Sequence, residues 1–363
     1  MTRLQPLLDA ARTKGLDAVA LVPGTNLRYI TGMQYHAGER LTVAVFGVDG
    51  RCGFVLPEME AARTKAESPV PFALYSWSDE QSPRLAMDRL VADLGLRGKT
   101  VAVEHGAMRV FELLALQQAG VGQTPDATPI LFDLRVVKDA SELDAMRRAV
   151  EMIERSLDAL LGKIRPGLTE RQVASMWLAE VLGQGAEGPA FDFIVASGPN
   201  AASPHHGTGD RTLQAGDLVI LDGGARHAGY NSDITRTVAI GQPSELSRRV
   251  YDAVLAANAA ARAAARPGLS GRDLDAVARK VIEDAGFGPQ FIHRTGHGLG
   301  MDVHEAPNIA SYNPDPLPIG SVFTIEPGVY LAGQTGVRIE DDVVLTEGGG
   351  ESLTSFRREL IVV

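Results

Sequence analysis

The chain has 363 residues, of which 45% are hydrophobic and 22% are charged, and its formal net charge is −10. This composition is typical of a globular protein of about two domains, and the acidic balance argues against a nucleic-acid or anionic-membrane partner. A single cysteine, Cys52, excludes an internal disulfide and a cysteine-based zinc cluster, which leaves histidine and carboxylate side chains as possible metal ligands. No apolar run is long enough for a signal peptide or a transmembrane helix, so we expect a cytoplasmic protein.

The first part of the chain, residues 1–134, alternates predicted strands with predicted helices. The strand candidates are the apolar runs LDAVALV, LTVAVFGV and TVAVEHG. The segment SPRLAMDRLVADLG has helical spacing, with Ser82 as its N-cap and Gly95 at its end. The pattern predicts an α/β domain without an acid and histidine cluster of its own, because His36 and His105 are isolated and predicted to be structural.

A helix start signal marks the second domain, which we place at residues 135–363. Asp139 is followed three residues later by Glu142, and this spacing is a capping box. It predicts the N-terminus of a long amphipathic helix and puts the domain boundary near residue 135.

An internal repeat runs through the second domain. RPGLTERQ at 165–172 recurs as RPGLSGRD at 266–273, and each copy lies between two predicted helices. Further along, LQAGDLVILDGG at 213–224 matches LPIGSVFTIEPG at 317–328. The repeat predicts two equivalent halves.

Two pairs of acids occupy equivalent places in this repeat. The apolar strand LVIL ends at Asp222, and Asp233 begins a returning strand; Glu326 and Glu340 stand at the matching places of the second copy. If a pseudo-two-fold axis relates the halves, four carboxylates converge, and like charges in an apolar interior take up protons or bind cations. A pair of divalent metal ions is the simplest compensation, although each acid alone would be interpreted as the solvated end of a strand.

The histidines indicate the same region. Six of the eight lie beyond residue 200. His297 lies between two glycines that allow close approach of the backbone, and it is the candidate fifth ligand, with His304 following in the same segment. The segment GHGLG lacks the spacing and the strand-to-helix context of a phosphate-binding loop.

The motifs around these residues resemble those of the pita-bread metallopeptidases, which include prolidases, aminopeptidases P and methionine aminopeptidases. YNSDITRT, GHGLGMDVHEAP, TIEPGVY and VRIEDDVVLTEGG are similar, in this order, to motifs of prolidase and aminopeptidase P. GTNLRYITGM at 24–33 is similar to the N-terminal domain shared by prolidase, aminopeptidase P and creatinase, which methionine aminopeptidase lacks. The resemblance implies an α+β protein: an N-terminal creatinase-like α/β domain followed by a C-terminal pita-bread domain with a pseudo-two-fold internal repeat.

The resemblance also implies two divalent metal ions per subunit. Asp222 would bind one ion, and His297 and Glu326 would bind the other. Asp233 and Glu340 would bridge them. Mn²⁺ or Co²⁺ is expected from the family, while Zn²⁺ or Fe²⁺ also suits this carboxylate-rich set.

Catalytic and substrate-binding roles follow from the same resemblance. Glu326 would carry protons, His205 would stabilise the tetrahedral centre, and His304 would lie near the carbonyl oxygen and the proline side of the substrate. Arg338 has two interpretations: it would bind the substrate, through its carboxylate, or neutralise the acid cluster. Thr235 would donate a hydrogen bond to a metal-binding carboxylate. The remaining histidines of this region are interpreted as packing or surface residues: His206, His227 and His293.

Together these features predict a dinuclear metallopeptidase that hydrolyses the bond before proline in short peptides. An Xaa-Pro dipeptidase (prolidase) is expected, because the compact N-terminal domain and TGHGLGMDVHEAP are more similar to short microbial prolidases. The alternative is an Xaa-Pro aminopeptidase (aminopeptidase P) that acts on longer peptides. Two further classes, a metal-independent creatinase-like hydrolase and a non-catalytic peptide-binding relative, are disfavoured by the complete ligand set. We expect a homodimer with no nucleic-acid or membrane partner.

Overall fold

The computed structural model describes residues 3–363, and the chain divides into two compact units, Met1–Arg135 and Val136–Val363. We call them the N-terminal unit and the C-terminal unit. Within residues 3–363, no helix is both long enough and apolar enough to cross a membrane.

The N-terminal unit is built on one five-stranded sheet. Its strands are β1 (Ala18–Leu21), β2 (Val43–Gly47), β3 (Cys52–Pro57), β4 (Phe72–Trp77) and β5 (Val101–Val103). Its helices are α1 (Leu4–Thr13), α2 (Thr25–Thr31), α3 (Glu58–Glu67), α4 (Pro83–Asp93), α5 (Val110–Gln118) and α6 (Thr128–Val136), the last of which ends at the unit boundary. The strand order is β4-β3-β2-β1-β5; the β1–β2 and β2–β3 pairs are antiparallel, and the β1–β5 and β3–β4 pairs are parallel.

Both faces of this sheet are covered by apolar side chains. Successive side chains of a strand point to opposite sides, so the apolar residues of one strand reach both faces. Val19 and Leu21 of β1 pack into one apolar cluster, and Ala18 and Ala20 pack into the other. The three strand predictions and the helix at SPRLAMDRLVADLG are confirmed, and the Ser82 side chain accepts a hydrogen bond from a backbone N–H of the first turn of α4.

The C-terminal unit contains four long helices and several small sheets. The helices are α7 (Ala140–Leu161), α8 (Glu170–Gly183), α9 (Glu245–Ala264) and α10 (Gly271–Asp284). The strands are β6 (Gly188–Pro189), β7 (Ile194–Ser197), β8 (Leu218–Gly223), β9 (Ala225–His227), β10 (Tyr230–Asn231), β11 (Ile234–Ala239), β12 (Gly296–Gly298), β13 (Glu305–Ile309), β14 (Val322–Ile325), β15 (Gly328–Leu331), β16 (Thr335–Arg338), β17 (Asp341–Thr346), β18 (Gly349–Ser352) and β19 (Ile361–Val362). Short 3₁₀ helices lie at Gly198–Ala202 and Gly288–Gln290.

Two halves of this unit repeat one arrangement, as the sequence repeat predicts. The sheet β19-β11-β8-β7 packs against α7 and α8, and the sheet β13-β12-β14-β17-β18 packs against α9 and α10. Smaller sheets, β10-β9-β6 and β15-β16, complete the unit. The first helix begins with the predicted capping box of Asp139 and Glu142. Helices α8 and α10, which follow the two RPGL copies, each begin with a capping box of their own. The pita-bread architecture is confirmed.

Strand periodicity explains why the acid at the end of β8 faces away from the helices. Leu221 packs beneath α7 and α8, whereas Ile220 belongs to a cluster on the other side of the sheet. Because side chains alternate, Asp222 lies on the side of Ile220. The same argument applies to Asp233, which directly precedes Ile234 in the helix-facing cluster.

The second half places its acids at the same end of its strand pair. In the first half the last strand pair joins Gly223 of β8 to Ile234 of β11. In the second half it joins Ile325 of β14 to Asp341 of β17, so that Glu326 and Glu340 flank that pair. The two halves therefore deliver four carboxylates from matching ends of their sheets.

Candidate metal centre

A cavity of about 610 Å³ in the C-terminal unit brings together the residues predicted to bind metal, bind substrate or act in catalysis. These residues are His205, Asp222, Asp233, His297, His304, Glu326, Arg338 and Glu340. The cavity wall also includes apolar and aromatic side chains, among them Phe191, Ile194, Val303 and Tyr312. An apolar wall with a few convergent polar groups is typical of a small-molecule site.

Three of the predicted ligands form one buried cluster. One ligand atom from each of Asp233, His297 and Glu340 lies within 4.8 Å of the others, and all three residues are buried. His297 Nε2 lies 3.4 Å from Glu326 Oε1 and 3.8 Å from Asp233 Oδ2. Asp222 lines the same cavity from β8, where it is the cross-strand partner of Thr235.

Burial and mutual repulsion shift the acid pKa values upward. Burial and the nearby Glu340 charge raise the pKa of Asp233 well above its usual range, and burial and the Glu326 charge do the same to Glu340. Burial raises the pKa of Glu326 to about 7 and lowers the pKa of His297 to about 3. A neutral imidazole among crowded carboxylates is an electrostatic setting that a divalent cation stabilises.

The hydrogen bonds of the site also fit a metal ion. Asp222 Oδ1 and Asp233 Oδ1 are buried and have no hydrogen-bond partner among residues 3–363. His297 Nδ1 donates to the Gly298 carbonyl at 3.1 Å, so that Nε2 presents its lone pair to the acids. Buried oxygens without donors are costly, and a cation would satisfy them.

Neighbouring groups hold the candidate ligands in place. Thr235 Oγ1 donates to Glu340 Oε2 at 2.6 Å, the contact expected from the sequence. The backbone N–H of Asp233 donates to Asp342 Oδ2 at 3.0 Å. The buried Arg236 side chain donates to the Glu340 carbonyl and to Asp341. The sequence patterns do not point to Arg236 or Asp342, although Arg236 directly follows Thr235 and Asp342 lies two residues after Glu340.

Arg338 forms an ion pair with one of the acids. Its NH2 group donates to Asp222 Oδ2 at 2.6 Å, and its other contacts are with the Tyr330 hydroxyl, Thr235 Oγ1 and the Pro204 carbonyl. The side chain is 3% exposed, and four of its five N–H donors are used. These contacts support the second of its two sequence interpretations, and substrate binding by Arg338 stays a prediction.

A hydrogen-bonded chain extends from Arg338 to a histidine that the sequence did not identify. Tyr330 receives the bond from Arg338 and lies 2.9 Å from His293 Nε2. Because His293 Nδ1 donates to the Arg294 carbonyl, its Nε2 accepts from Tyr330. The sequence analysis predicts a packing or surface role for His293, and this is wrong, because His293 and Arg294 line the cavity. The sequence feature that could have identified His293 and Arg294 is that they directly precede the TGHG segment, which contains His297.

His205 and His304 lie at the cavity and His206 lies elsewhere, as the sequence predicts. The ring of His304 lies edge-on to that of His297, with 4.2 Å between centroids, and burial lowers its pKa. His205 lines the cavity, whereas the neighbouring His206 lies 2.9 Å from the Glu170 carboxylate.

Glu170 fixes the segment that carries His205. It accepts hydrogen bonds from the Ser197 backbone, the Ser197 hydroxyl, the Asn200 amide and the Gly209 backbone. Burial alone would raise its pKa, but the bonds from Ser197 and His206 outweigh burial and lower it. The carboxylate therefore ties both ends of the segment to the start of α8.

The fold and the cavity thus define a candidate site for divalent metal between the two repeated halves. Residues 144–347 match metallopeptidase family M24, and residues 3–137 match the creatinase/prolidase N-terminal domain. The chain belongs to metallopeptidase family M24 and is an enzyme of that class.

Similar proteins extend over the full length of both domains. The chain is 35% identical to an Xaa-Pro dipeptidase of Pyrococcus furiosus over 360 residues, which cover 99% of each chain. A solved dipeptidase from Pyrococcus horikoshii OT3 superposes with a TM-score of 0.94 at 38% identity, covering 99% of this chain and 100% of the other. An X-Pro aminopeptidase from Thermotoga maritima superposes with a TM-score of 0.88 at 33% identity over 100% of both chains.

Proposed function

We propose that this protein is an Xaa-Pro dipeptidase that uses two divalent metal ions. The observation that carries the proposal is the convergence of Asp222, Asp233, His297, Glu326 and Glu340 on one cavity, with buried carboxylate oxygens that no protein donor satisfies. Full-length similarity to proteins named Xaa-Pro dipeptidase supports the choice of substrate.

The five converging residues would hold the ions. Asp233 and Glu340, which form one buried cluster with His297, would supply carboxylate oxygens to them. When bound, such ions polarise the scissile carbonyl and lower the pKa of a water molecule. The carboxylate-rich donor set with one imidazole favours Mn²⁺ or Co²⁺ in the proposal, with Zn²⁺ or Fe²⁺ as alternatives.

Three side chains would act on the reacting atoms. His205 and His304 would donate hydrogen bonds to the oxyanion of the tetrahedral centre. Glu326 would take the proton of the attacking water and deliver it to the proline nitrogen as the C–N bond breaks.

Chelation tests the role of the metal. Removal of metal by a chelator should abolish hydrolysis of an Xaa-Pro dipeptide, and Mn²⁺ or Co²⁺ should restore it. Full activity of a sample shown by elemental analysis to be free of metal would contradict the proposal. Titration of the activity with Mn²⁺ would give the number of ions per chain.

An Xaa-Pro aminopeptidase is the second candidate, because the X-Pro aminopeptidase of T. maritima superposes over the whole chain. A comparison of Xaa-Pro, Xaa-Pro amide and Xaa-Pro-Yaa separates the two. A dipeptidase should cleave the dipeptide best, whereas equal or faster cleavage of the tripeptide would identify an aminopeptidase.

We also propose a cytoplasmic homodimer with the domain boundary near residue 135. The family resemblance supports the dimer, and a free, buried Cys52 suits a reducing compartment. Light scattering on the eluting protein would measure the mass of the assembly, and a monomer would contradict this part of the proposal.

A further inference from the structure

Arg294 stands apart from the other charged groups of the cavity because most of its donors are unused. Its NH1 group donates to Asn308 Oδ1 at 2.6 Å, and this is its one side-chain hydrogen bond among residues 3–363. No carboxylate within the described chain lies in ion-pair distance of it. Arg338, by contrast, is buried against Asp222 and Tyr330.

The backbone that presents Arg294 is fixed on both sides. Asp275 Oδ1 accepts hydrogen bonds from the Thr295 backbone and the Thr295 hydroxyl, at 3.0 and 2.8 Å. Arg279 donates to the carbonyls of Phe291 and His293. A cationic side chain on a rigid segment is preorganised, so less free energy is lost in ordering that side chain when a ligand binds.

Arg294 lies on the His304 side of the cavity. Both side chains line the cavity, and the positive charge of Arg294 is close enough to act on the His304 ring. In the proposed function His304 faces the proline side of the substrate. The free carboxylate of an Xaa-Pro dipeptide leaves the proline ring on that side.

We propose that Arg294 binds the C-terminal carboxylate of the substrate and thereby selects dipeptides over amides and longer peptides. A planar guanidinium with free N–H groups matches a carboxylate in bidentate geometry. Asn308 would hold one edge of the guanidinium in place, and the remaining N–H groups of Arg294 would stay available to the ligand. The inference rests on the proposed function, because it assigns the specificity of that same site.

The test compares Arg294→Met with wild-type protein, both loaded with Mn²⁺, on an Xaa-Pro dipeptide and on its C-terminal amide. The variant should lose about 10- to 100-fold in kcat/KM for the dipeptide, mainly through KM, and change by less than about 3-fold for the amide. Arg294→Lys should recover only part of the loss, because lysine lacks the planar fork. The exposed Arg248 provides the matched control, and Arg248→Met should leave both substrates unchanged.

Two further measurements separate recognition from damage to the site. Elemental analysis should find the same metal content in Arg294→Met as in wild-type protein. Calorimetry should show weaker binding of L-proline to the variant, with no change for L-prolinamide. Equal losses on dipeptide and amide, or retention of the dipeptide preference, would overturn the role of Arg294. If the metal-loaded wild-type protein cleaves no Xaa-Pro substrate, the proposed function itself is wrong.

Discussion

Replacing Arg236 by methionine should destabilise the C-terminal unit by about 3 to 5 kcal/mol. The side chain is 1% exposed, and all five of its N–H donors are used. The acceptors are the carbonyls of Thr235, Glu340, Phe356 and Arg357 and the carboxylate of Asp341.

The magnitude follows from the groups that would remain. Methionine keeps much of the apolar stem, so the loss is mostly polar. Each buried carbonyl that loses its donor costs about 1 kcal/mol, and Asp341 would lose one of its charged partners. Asp341 retains Arg358 at 2.8 Å and Asn258 at 3.0 Å, which keeps the total below that of a fully unpaired buried charge.

Urea unfolding would measure this effect. The chain has two tryptophans, and in a Trp77→Phe background the emission reports on Trp177, which is fully buried in the C-terminal unit. Arg236→Met should lower the free energy of unfolding measured in this background. A change below about 1 kcal/mol would refute the reasoning that this guanidinium holds the strand ends together.

Two variants serve as controls for the Arg236 experiment. Arg236→Lys should recover less than half of the loss, because an ammonium has three donors and no fork. Lys280→Met removes an exposed helical ion pair with Asp284, whose side chains are 67% and 64% exposed, and should change stability by less than about 0.5 kcal/mol.

Two other predictions concern the site and its support. Asp233→Ala should remove bound metal, whereas His205→Ala and His304→Ala should retain the metal and lower kcat. Elemental analysis and steady-state kinetics measure these two effects. Wild-type kcat/KM in both histidine variants would contradict the prediction. Glu170→Gln should destabilise the protein more at about pH 7 than at about pH 3. The pKa of Glu170 is lowered from 4.5 on folding, so its stabilisation is present above that value and disappears as the pH falls below its folded pKa. Unfolding curves at both pH values test this, and a pH-independent difference would count against it.

The amino-acid sequence by itself determined the repeat and the candidate ligands. Strand periodicity and the duplicated spacing are local properties, so they placed Asp222 and Glu326 at equivalent strand ends without knowledge of the packing. Capping chemistry is also local, and Asp139 with Glu142 marked the start of α7 correctly.

The tertiary structure alone decided which charged groups face each other. Arg338 and Asp222 are 116 positions apart, and Arg236 and Asp341 are 105 positions apart. Neither spacing nor composition could pair them, because such contacts depend on how the two halves of the C-terminal unit pack. The structure likewise distinguishes two arginines of the cavity: Arg338 donates to Asp222, whereas Arg294 has one side-chain hydrogen bond, to Asn308, among residues 3–363. The physical reason is that a side chain's unused hydrogen-bonding capacity is set by its neighbours in space.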